Sequence, residues 1–290
     1  MGKVWVGVSG WSYDGWRGEF YPEELSRSRE LEYIGRRFNS VEINGSFYSL
    51  LKPDTYRRWY DQVPRDFLFA VKGSRFITHN KKLRDVETPL ANFFASGVLA
   101  LEEKLGPVVW QLSENLRFDP QRVAHFLELL PHDTEAAARL ARKHDDRLKG
   151  RSWTKTDRNR RMRHAIEIRN ESFFDAEFVR IARRNGAAVV LSDAADWRLT
   201  EEVTAGFVYI RLHGSEETYA SRYDDDQLDR WAERIEAWRA GGQPRRPDTI
   251  TDRQPPRRKT RDVYVYFDND QHVHAPKDAE RLAERLDALA

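Results

Sequence analysis

Eight short runs of strand-forming residues alternate with amphipathic helical patterns along this chain, and this alternation is the feature that most constrains its fold. The runs are rich in Val, Ile, Tyr and Phe, which favour β-strands. The predicted strands are residues 3–10, 40–48, 67–73, 107–113, 164–170, 187–193, 206–214 and 262–269.

Amphipathic helices are predicted between the strands, because apolar residues recur there every three or four positions. One apolar face follows Pro53 and consists of Tyr56, Trp59, Tyr60 and Val63. The same spacing recurs at residues 228–235 and at residues 279–286. Pro276, before the last of these, is a residue type favoured in the first turn of a helix. We expect these faces to pack on a sheet.

Eight strand–helix units in succession predict the α/β class and a single (β/α)8 barrel of the TIM type over residues 1–290. The alternative is an open, doubly wound parallel sheet. Such sheets usually carry a Gly-rich phosphate loop after the first strand, whereas residues 9–16, SGWSYDGW, contain only two glycines. The barrel is therefore the preferred prediction.

Composition excludes several classes of chemistry. The chain has no cysteine, which removes disulfides, thiolate nucleophiles and Cys-ligated metals. Hydrophobic residues make up 40% and charged residues 33% of the chain, as in a globular protein with a sizeable core. Neither a signal peptide nor an apolar run of about 18 residues is visible. We expect a cytoplasmic protein with no membrane contact.

Two short segments are strongly basic, although the net charge of the chain is only +2. Residues 147–163 contain eight basic residues and one acidic residue, and residues 245–261 contain seven and two. Each segment follows a helix and precedes a strand, so both are expected on the barrel face opposite the usual active site. They are either solvated insertions or contacts for nucleic-acid phosphates, with Trp153 available to stack on a base.

Polar side chains recur near the carboxyl ends of the predicted strands, which is where TIM barrels place their catalytic residues. A charge in a strand is costly to bury unless it is paired, so an internal network of salt bridges is the structural alternative. The residues placed in this way are Glu42, Asn44, Lys72, Gln111, Glu167, Arg169, Asp193, Arg211, His213 and Asn269.

The candidate catalytic residues are Glu42, Glu167, Asp193 and His213. Two carboxylates with different cationic neighbours can acquire different pKa values and so serve as an acid and a base. The same four side chains could bind a divalent metal, but an equal number of cations argues against a metal site. No motif identifies a cofactor.

The remaining candidates are substrate-binding residues. Lys72, Arg169 and Arg211 are suited to a small anionic substrate, and His79 in the sequence FITHN is a further candidate. Trp11 and Tyr13 follow the first strand, where aromatic rings could cover a pocket and stack on a sugar or base; a self-contained aromatic mini-core is the alternative. The complete binding set is Trp11, Tyr13, Asn44, Lys72, His79, Gln111, Arg169, Arg211, Tyr223 and Asn269.

Several motifs together resemble the YecE-like family, which is catalogued as a domain of unknown function. They are GVSGWSY (7–13), FYP (20–22), VEINGSFY (41–48), ITH (77–79), EIR (167–169), YIRLHG (209–214) and VYFDN (265–269). The resemblance implies a TIM-type barrel and supports the same site residues, but it supplies no reaction. The chain departs from the family pattern at residues 113–114, 172–173 and 268.

The favoured hypothesis is an enzyme that hydrolyses a phosphate ester in a nucleic acid, a nucleotide or a phosphosugar. Glu167 or Glu42 would be the general base and His213 the general acid. Lys72, Arg169 and Arg211 would bind the anion. Two alternatives are a non-catalytic nucleic-acid-binding protein that uses the two basic segments, and a carbohydrate-active barrel that uses aromatic rings and a carboxylate pair.

Overall fold

A computed structural model describes residues 1–287 and contains all eight predicted strands. They are β1 (Val4–Val8), β2 (Ser40–Ile43), β3 (Leu68–Lys72), β4 (Leu105–Gln111), β5 (His164–Glu167), β6 (Ala188–Asp193), β7 (Phe207–Leu212) and β8 (Asp262–Phe267). Their order in the sheet is β1-β8-β7-β6-β5-β4-β3-β2. A parallel bridge between Ser9 and Glu42 joins the two ends of this order. The prediction of an α/β fold of the (β/α)8 type is confirmed.

Helices lie between successive strands, except that the described chain has none between β6 and β7, and one helix follows β8. They are α1 (Glu30–Gly35), α2 (Gly45–Tyr48), α3 (Pro53–Gln62), α4 (Glu87–Ala95), α5 (Pro120–Leu129), α6 (Thr134–Ala141), α7 (Ala176–Arg184), α8 (Asp225–Arg239) and α9 (His274–Arg285). The three helices predicted from apolar spacing are α3, α8 and α9. None of the helices in residues 1–287 is long and apolar enough to cross a membrane.

Tertiary contacts divide the chain into two compact units, and the first consists of Met1–Glu42 and Ala188–Ala290. In this unit β1 pairs with β8, β8 with β7, and β7 with β6, all in parallel. The register places Val6 beside Val265, and both side chains are buried. The single-domain prediction for residues 1–290 stays a prediction, and its last three residues lie outside the described ones.

The second unit consists of Ile43–Ala187 and contains the parallel strands β3, β4 and β5. The indole of Trp110 is buried in its core, and its Nε1–H donates to His164 Nδ1 at 3.2 Å. The other imidazole nitrogen of His164 lies 2.8 Å from the carbonyl of Pro131. Burial lowers the pKa of His164 to about 4, so the ring is neutral at pH 7.

The two basic segments directly precede strands, as the sequence predicts: residues 147–163 precede β5 and residues 245–261 precede β8. Both segments are bonded to their own unit. The backbone N–H of Trp153 donates to Ala95 O at 2.7 Å. Glu202 Oε2 accepts from the backbone of Thr251 at 2.9 Å.

Candidate functional site

Arg211 is at the carboxyl end of β7, within a group of polar side chains of the first unit. Its Nη2 donates to Glu42 Oε1 and to Asp268 Oδ2, both at 2.9 Å. The side chains of Arg211 and Glu42 are 0% exposed, so this ion pair is removed from water. The Arg211 cluster is Ser9, Glu42, Tyr209, Arg211, His213 and Asp268.

Glu42 uses both carboxylate oxygens within the cluster. Oε1 accepts from Ser9 Oγ at 2.6 Å, in addition to Arg211, and Oε2 accepts from the hydroxyl of Tyr209 at 2.7 Å. Burial raises the pKa of Tyr209, so its hydroxyl keeps the proton that it donates. These contacts fix Arg211 from the buried side of the cluster.

Asp268 differs from its partners because its side chain is 17% exposed, whereas those of Arg211 and His213 are fully buried. Its Oδ2 lies 3.1 Å from His213 Nδ1. The other ring nitrogen of His213 lies 3.4 Å from Arg211 Nη1. Asp268 is therefore the carboxylate of the cluster that keeps exposed surface.

A second carboxyl group, that of Asp270, lies two residues further along the same loop. Burial raises the pKa of Asp270 to about 7. The hydrogen bond from Trp16 Nε1 opposes this effect, and the negative charge of Asp268 adds to it. One carboxyl group thus lies beside a cation while its neighbour keeps a proton near neutral pH, the combination found in acid–base pairs.

Aromatic rings and a strained residue border this cluster. The rings of Trp197 and Tyr219 lie edge-on to His213, with centroid separations of 4.9 and 5.4 Å. Tyr219 has a φ of +67°, which is unfavourable for a bulky residue, and its N–H donates to the carbonyl of His213. Its own carbonyl accepts from Gln271 N at 3.0 Å. Such strain concentrates at functional sites.

Asp193 and Tyr223, two predicted site residues, lie beside each other in the first unit. The hydroxyl of Tyr223 donates to Asp193 and accepts from Gly214 N at 3.1 Å. Asp193 Oδ2 also accepts from Trp231 Nε1 at 3.2 Å. Burial raises the pKa of both Asp193 and Tyr223. Tyr223 is fully buried, and its bond with Gly214 N connects it to the loop after β7.

Asn269 is also fully buried and has a similar supporting position. Its Nδ2 donates to Ser221 O at 3.0 Å and to Asp278 Oδ2 at 2.9 Å. Asp278 additionally accepts from the backbone of Tyr223. These bonds connect the end of β8 to the loop that follows β7.

The aromatic residues of the loop after β1 form a small core of their own, and two of them also keep exposed surface. Trp16 is buried and packs on Tyr13, Phe20 and Tyr21, with ring centroids 5.1–5.5 Å apart. Tyr13 donates to Ser9 O at 2.5 Å, while Trp11 accepts from Tyr21 at 2.6 Å. Trp11 and Tyr13 remain half-buried. The mini-core therefore supports two rings that keep exposed surface.

In the second unit, Lys72 and His79 lie against the same aromatic ring. Lys72 is 8% exposed, and its Nζ lies 4.6 Å from the centroid of Phe47. His79 lies in a π-helical turn, Phe76–Asn80, with its ring 5.2 Å from that of Phe47. Such turns are frequent at functional sites. Burial lowers the pKa of His79, and nearby positive charges, including those of Lys72 and Arg169, act in the same direction.

Glu167 and Arg169 form an ion pair at the end of β5. Arg169 Nη2 donates to Glu167 Oε1 at 2.7 Å, and the two side chains are 7% and 0% exposed respectively. Gln111 is half-buried beside Glu167 in the β4–β5 register, and Asn44 is half-buried ahead of α2. We call Lys72, His79, Glu167 and Arg169 the Arg169 group.

A cluster of three acidic residues, none of them among the predicted candidates, has the spacing of a metal site. Within residues 1–287, Glu102, Glu103 and Asp157 place ligand atoms within 4.8 Å of one another. Glu102 pairs with Arg57 at 2.8 Å, and Asp157 pairs with Arg160 at 2.6 Å. Glu102 and Asp157 already have cationic partners and Glu103 accepts from the Tyr60 hydroxyl at 2.8 Å, so we assign no metal to them.

A family model described as "Protein of unknown function DUF72" matches residues 5–290. The chain belongs to the DUF72 family. The UPF0759 protein YecE of Escherichia coli K12 is 31% identical over 131 residues, which is 44% of this chain and 44% of that protein. This chain therefore spans less than half the length of that curated relative in the alignment.

Solved structures of DUF72 proteins share the fold. A DUF72 family protein from Thermotoga maritima is 23% identical, with a TM-score of 0.73 over 98% of this chain and 99% of that chain. One from Enterococcus faecalis is 16% identical, with a TM-score of 0.67 over 98% of this chain and 95% of that chain. At these identities the likeness shows the fold alone.

Sequence reasoning missed four residues at the Arg211 cluster and beside it: Asp268, Asp270, Tyr209 and Trp197. A signal existed for three of them. Asp268 and Asp270 have the two-residue spacing used to select other strand-end pairs, and Tyr209 precedes Arg211 by the same interval. Trp197 lies in the loop after β6, and nothing in its local sequence indicates a contact with His213.

Proposed function

We propose that this DUF72 protein is an enzyme that performs acid–base chemistry on a small anionic substrate, with hydrolysis of a phosphate ester as the favoured reaction. The observation that carries the proposal is the position of Asp268. It keeps exposed surface while the fully buried Arg211 and His213 contact its carboxylate. A carboxylate fixed in this way is suited to accept a proton from a water molecule.

In the proposed reaction Asp268 removes a proton from water, and the water oxygen attacks phosphorus. The ester P–O bond breaks, and Asp270 donates its proton to the departing oxygen. The raised pKa of Asp270, about 7, supports this second role because about half of these groups carry a proton at neutral pH. Glu42 acts through Arg211, which it binds from the buried side.

The Arg169 group of the second unit, taken by itself, is suited to bind an anion. This group brings two permanent cations, Lys72 and Arg169, together with a single carboxylate, Glu167. Lysine and arginine are the usual protein ligands for phosphate groups. We therefore expect the ligand of this group to be an anion.

The decisive test is turnover of a panel of phosphate esters by the wild type and by Asp268→Asn. The panel contains p-nitrophenyl phosphate, bis-p-nitrophenyl phosphate, nucleoside monophosphates and sugar phosphates. Loss of the general base should lower kcat at least about 100-fold. Asp252→Asn, a change at an exposed site in another segment, is the matched control. A wild type that hydrolyses none of the esters, or an equally active Asp268→Asn, would refute the proposal.

A carbohydrate-active barrel is the second candidate, because aromatic rings and a carboxylate pair occur together in the first unit. Trp197 and Tyr219 contact His213, and Tyr219 is 40% exposed. Aryl glycosides added to the panel distinguish the two candidates. Release of aryl alcohol from glycosides alone, abolished in Asp268→Asn, would favour this second function.

A further inference from the structure

A basic cavity lies next to the start of β8 in the first unit. Its volume is about 580 Å³. It is lined by Arg257, Arg258, Lys259 and Arg261 and by the turn at Gly241 and Gly242. Cavities of roughly 300–1,000 Å³ are typical of small-molecule sites. Residues 254–261, which supply most of the wall, contain four basic residues and no acidic residue.

Arg261 is the buried part of this wall, with 1% of its surface exposed. Its guanidinium donates to two backbone carbonyls, those of Gly242 at 2.9 Å and Pro256 at 2.6 Å. Its Nε–H is buried and has no partner among residues 1–287. Burial and the positive charge of Arg258 both lower the pKa of Arg261. A buried cation without a carboxylate is unfavourable unless an anion joins it.

The other three cations of the wall, Arg257, Arg258 and Lys259, are exposed, and none of them forms a salt bridge within the described part of the chain. The cavity wall therefore carries uncompensated positive charge.

The glycine turn keeps this wall close-packed. Gly241 has a φ of +85°, and a Cβ atom there would lie 2.4 Å from the carbonyl oxygen of Arg258. Only glycine adopts this positive φ and leaves room for this close carbonyl oxygen without strain. The backbone that follows α8 thus lies directly against residues 258–259, which fixes the basic side of the cavity.

We infer that this cavity binds a phosphate group, carried either by a small phosphorylated molecule or by a nucleic-acid backbone. Arg261 supplies buried, geometrically fixed charge, while Arg257, Arg258 and Lys259 supply exposed charge at the entrance. This inference does not depend on the proposed hydrolysis at Asp268. The six residues of β8 separate Arg261 from Asp268, and strands rise about 3.3 Å per residue, so the two sites are roughly 20 Å apart.

The test is calorimetric titration of the full-length protein with pyrophosphate and, separately, with a single-stranded dT12 oligonucleotide. The variant Arg257→Glu/Arg258→Glu changes the cavity entrance at exposed positions. The control Arg245→Glu/Arg246→Glu makes the same change of charge in the same segment, outside the cavity. We expect the Kd of the bound probe to rise at least 10-fold in the cavity variant and less than 2-fold in the control.

Arg261→Gln provides a second variant, which should also weaken binding, and circular dichroism establishes whether it is folded. Binding of pyrophosphate alone identifies a small-molecule site. Binding of dT12 that pyrophosphate displaces identifies a backbone phosphate, and its Kd should increase steeply with salt. Absence of binding by both probes, or an equal loss in the cavity variant and the control, would overturn the inference. Neither result depends on whether phosphate esters are hydrolysed.

Discussion

Replacing Asp270 with Asn removes a carboxyl group whose pKa the fold raises from its usual 3.8 to about 7. In the folded protein this group keeps its proton up to about pH 7, whereas in the unfolded chain it loses the proton near pH 3.8. The folded state therefore binds more protons between these two values. The contribution of Asp270 to the free energy of unfolding must fall as the pH rises through this window, and it is constant above pH 7.

The size of this effect follows from the two pKa values. A difference of about 3 corresponds to about 4 kcal/mol. Solvent screening of the partly exposed carboxyl group reduces this to about 2 kcal/mol. Asn has no proton to lose, and its side-chain oxygen can still accept from Trp16 Nε1. The variant should be about 2 kcal/mol more stable than the wild type at pH 8 and nearly equal to it at pH 4.

Urea denaturation followed by tryptophan fluorescence at pH values from 4 to 8 measures this difference. Asp252→Asn, which replaces an exposed aspartate in another segment, is the control. A difference between Asp270→Asn and the wild type that stays constant with pH would refute the reasoning. So would a variant that is less stable than the wild type at pH 8.

Three further predictions concern buried groups, each checked by urea denaturation. Arg211→Met should lower the free energy of unfolding by about 3–5 kcal/mol, because Glu42 loses its buried cation. The double variant Glu42→Gln/Arg211→Met, which also removes the buried negative charge, should recover part of this loss. Tyr209→Phe should cost about 1–3 kcal/mol, because Glu42 Oε2 loses its donor, and an unchanged stability would contradict this. In the wild type, the unfolded chain binds a proton at His164 between pH 6.5 and 4, whereas the buried ring does not, so acid lowers the free energy of unfolding. His164→Gln should reduce this loss by about 3 kcal/mol. An unchanged pH profile would contradict this prediction.

The fold was predictable from the sequence because its signals are local. Strand β8 is recognisable from the run of β-branched and aromatic residues at 262–267, and α3 from the spacing of apolar residues after Pro53. Each signal depends on neighbours a few positions away. The succession of eight such units then leaves few topologies, since parallel strands need helical crossovers.

The candidate site was predictable only in its location. Strand-end parity selects Arg211 and His213 because residues two apart on a strand share a face, and the structure places their side chains 3.4 Å apart. It equally selects Asn269, although the structure places this residue beneath a loop. The position of a residue along a strand predicts the direction of its side chain. It does not predict whether that side chain is exposed to solvent or buried in a hydrogen bond.

The amino-acid sequence by itself determines the strand and helix succession and the residue types at each strand end. Only the tertiary structure decides which of these residues meet. Glu42 and Arg211 are 169 positions apart, so their bond depends on the register of distant strands. The raised pKa of Asp270 and the unpaired charge of Arg261 likewise depend on burial by remote segments. Electrostatic energies vary with desolvation and distance, and neither quantity is encoded locally.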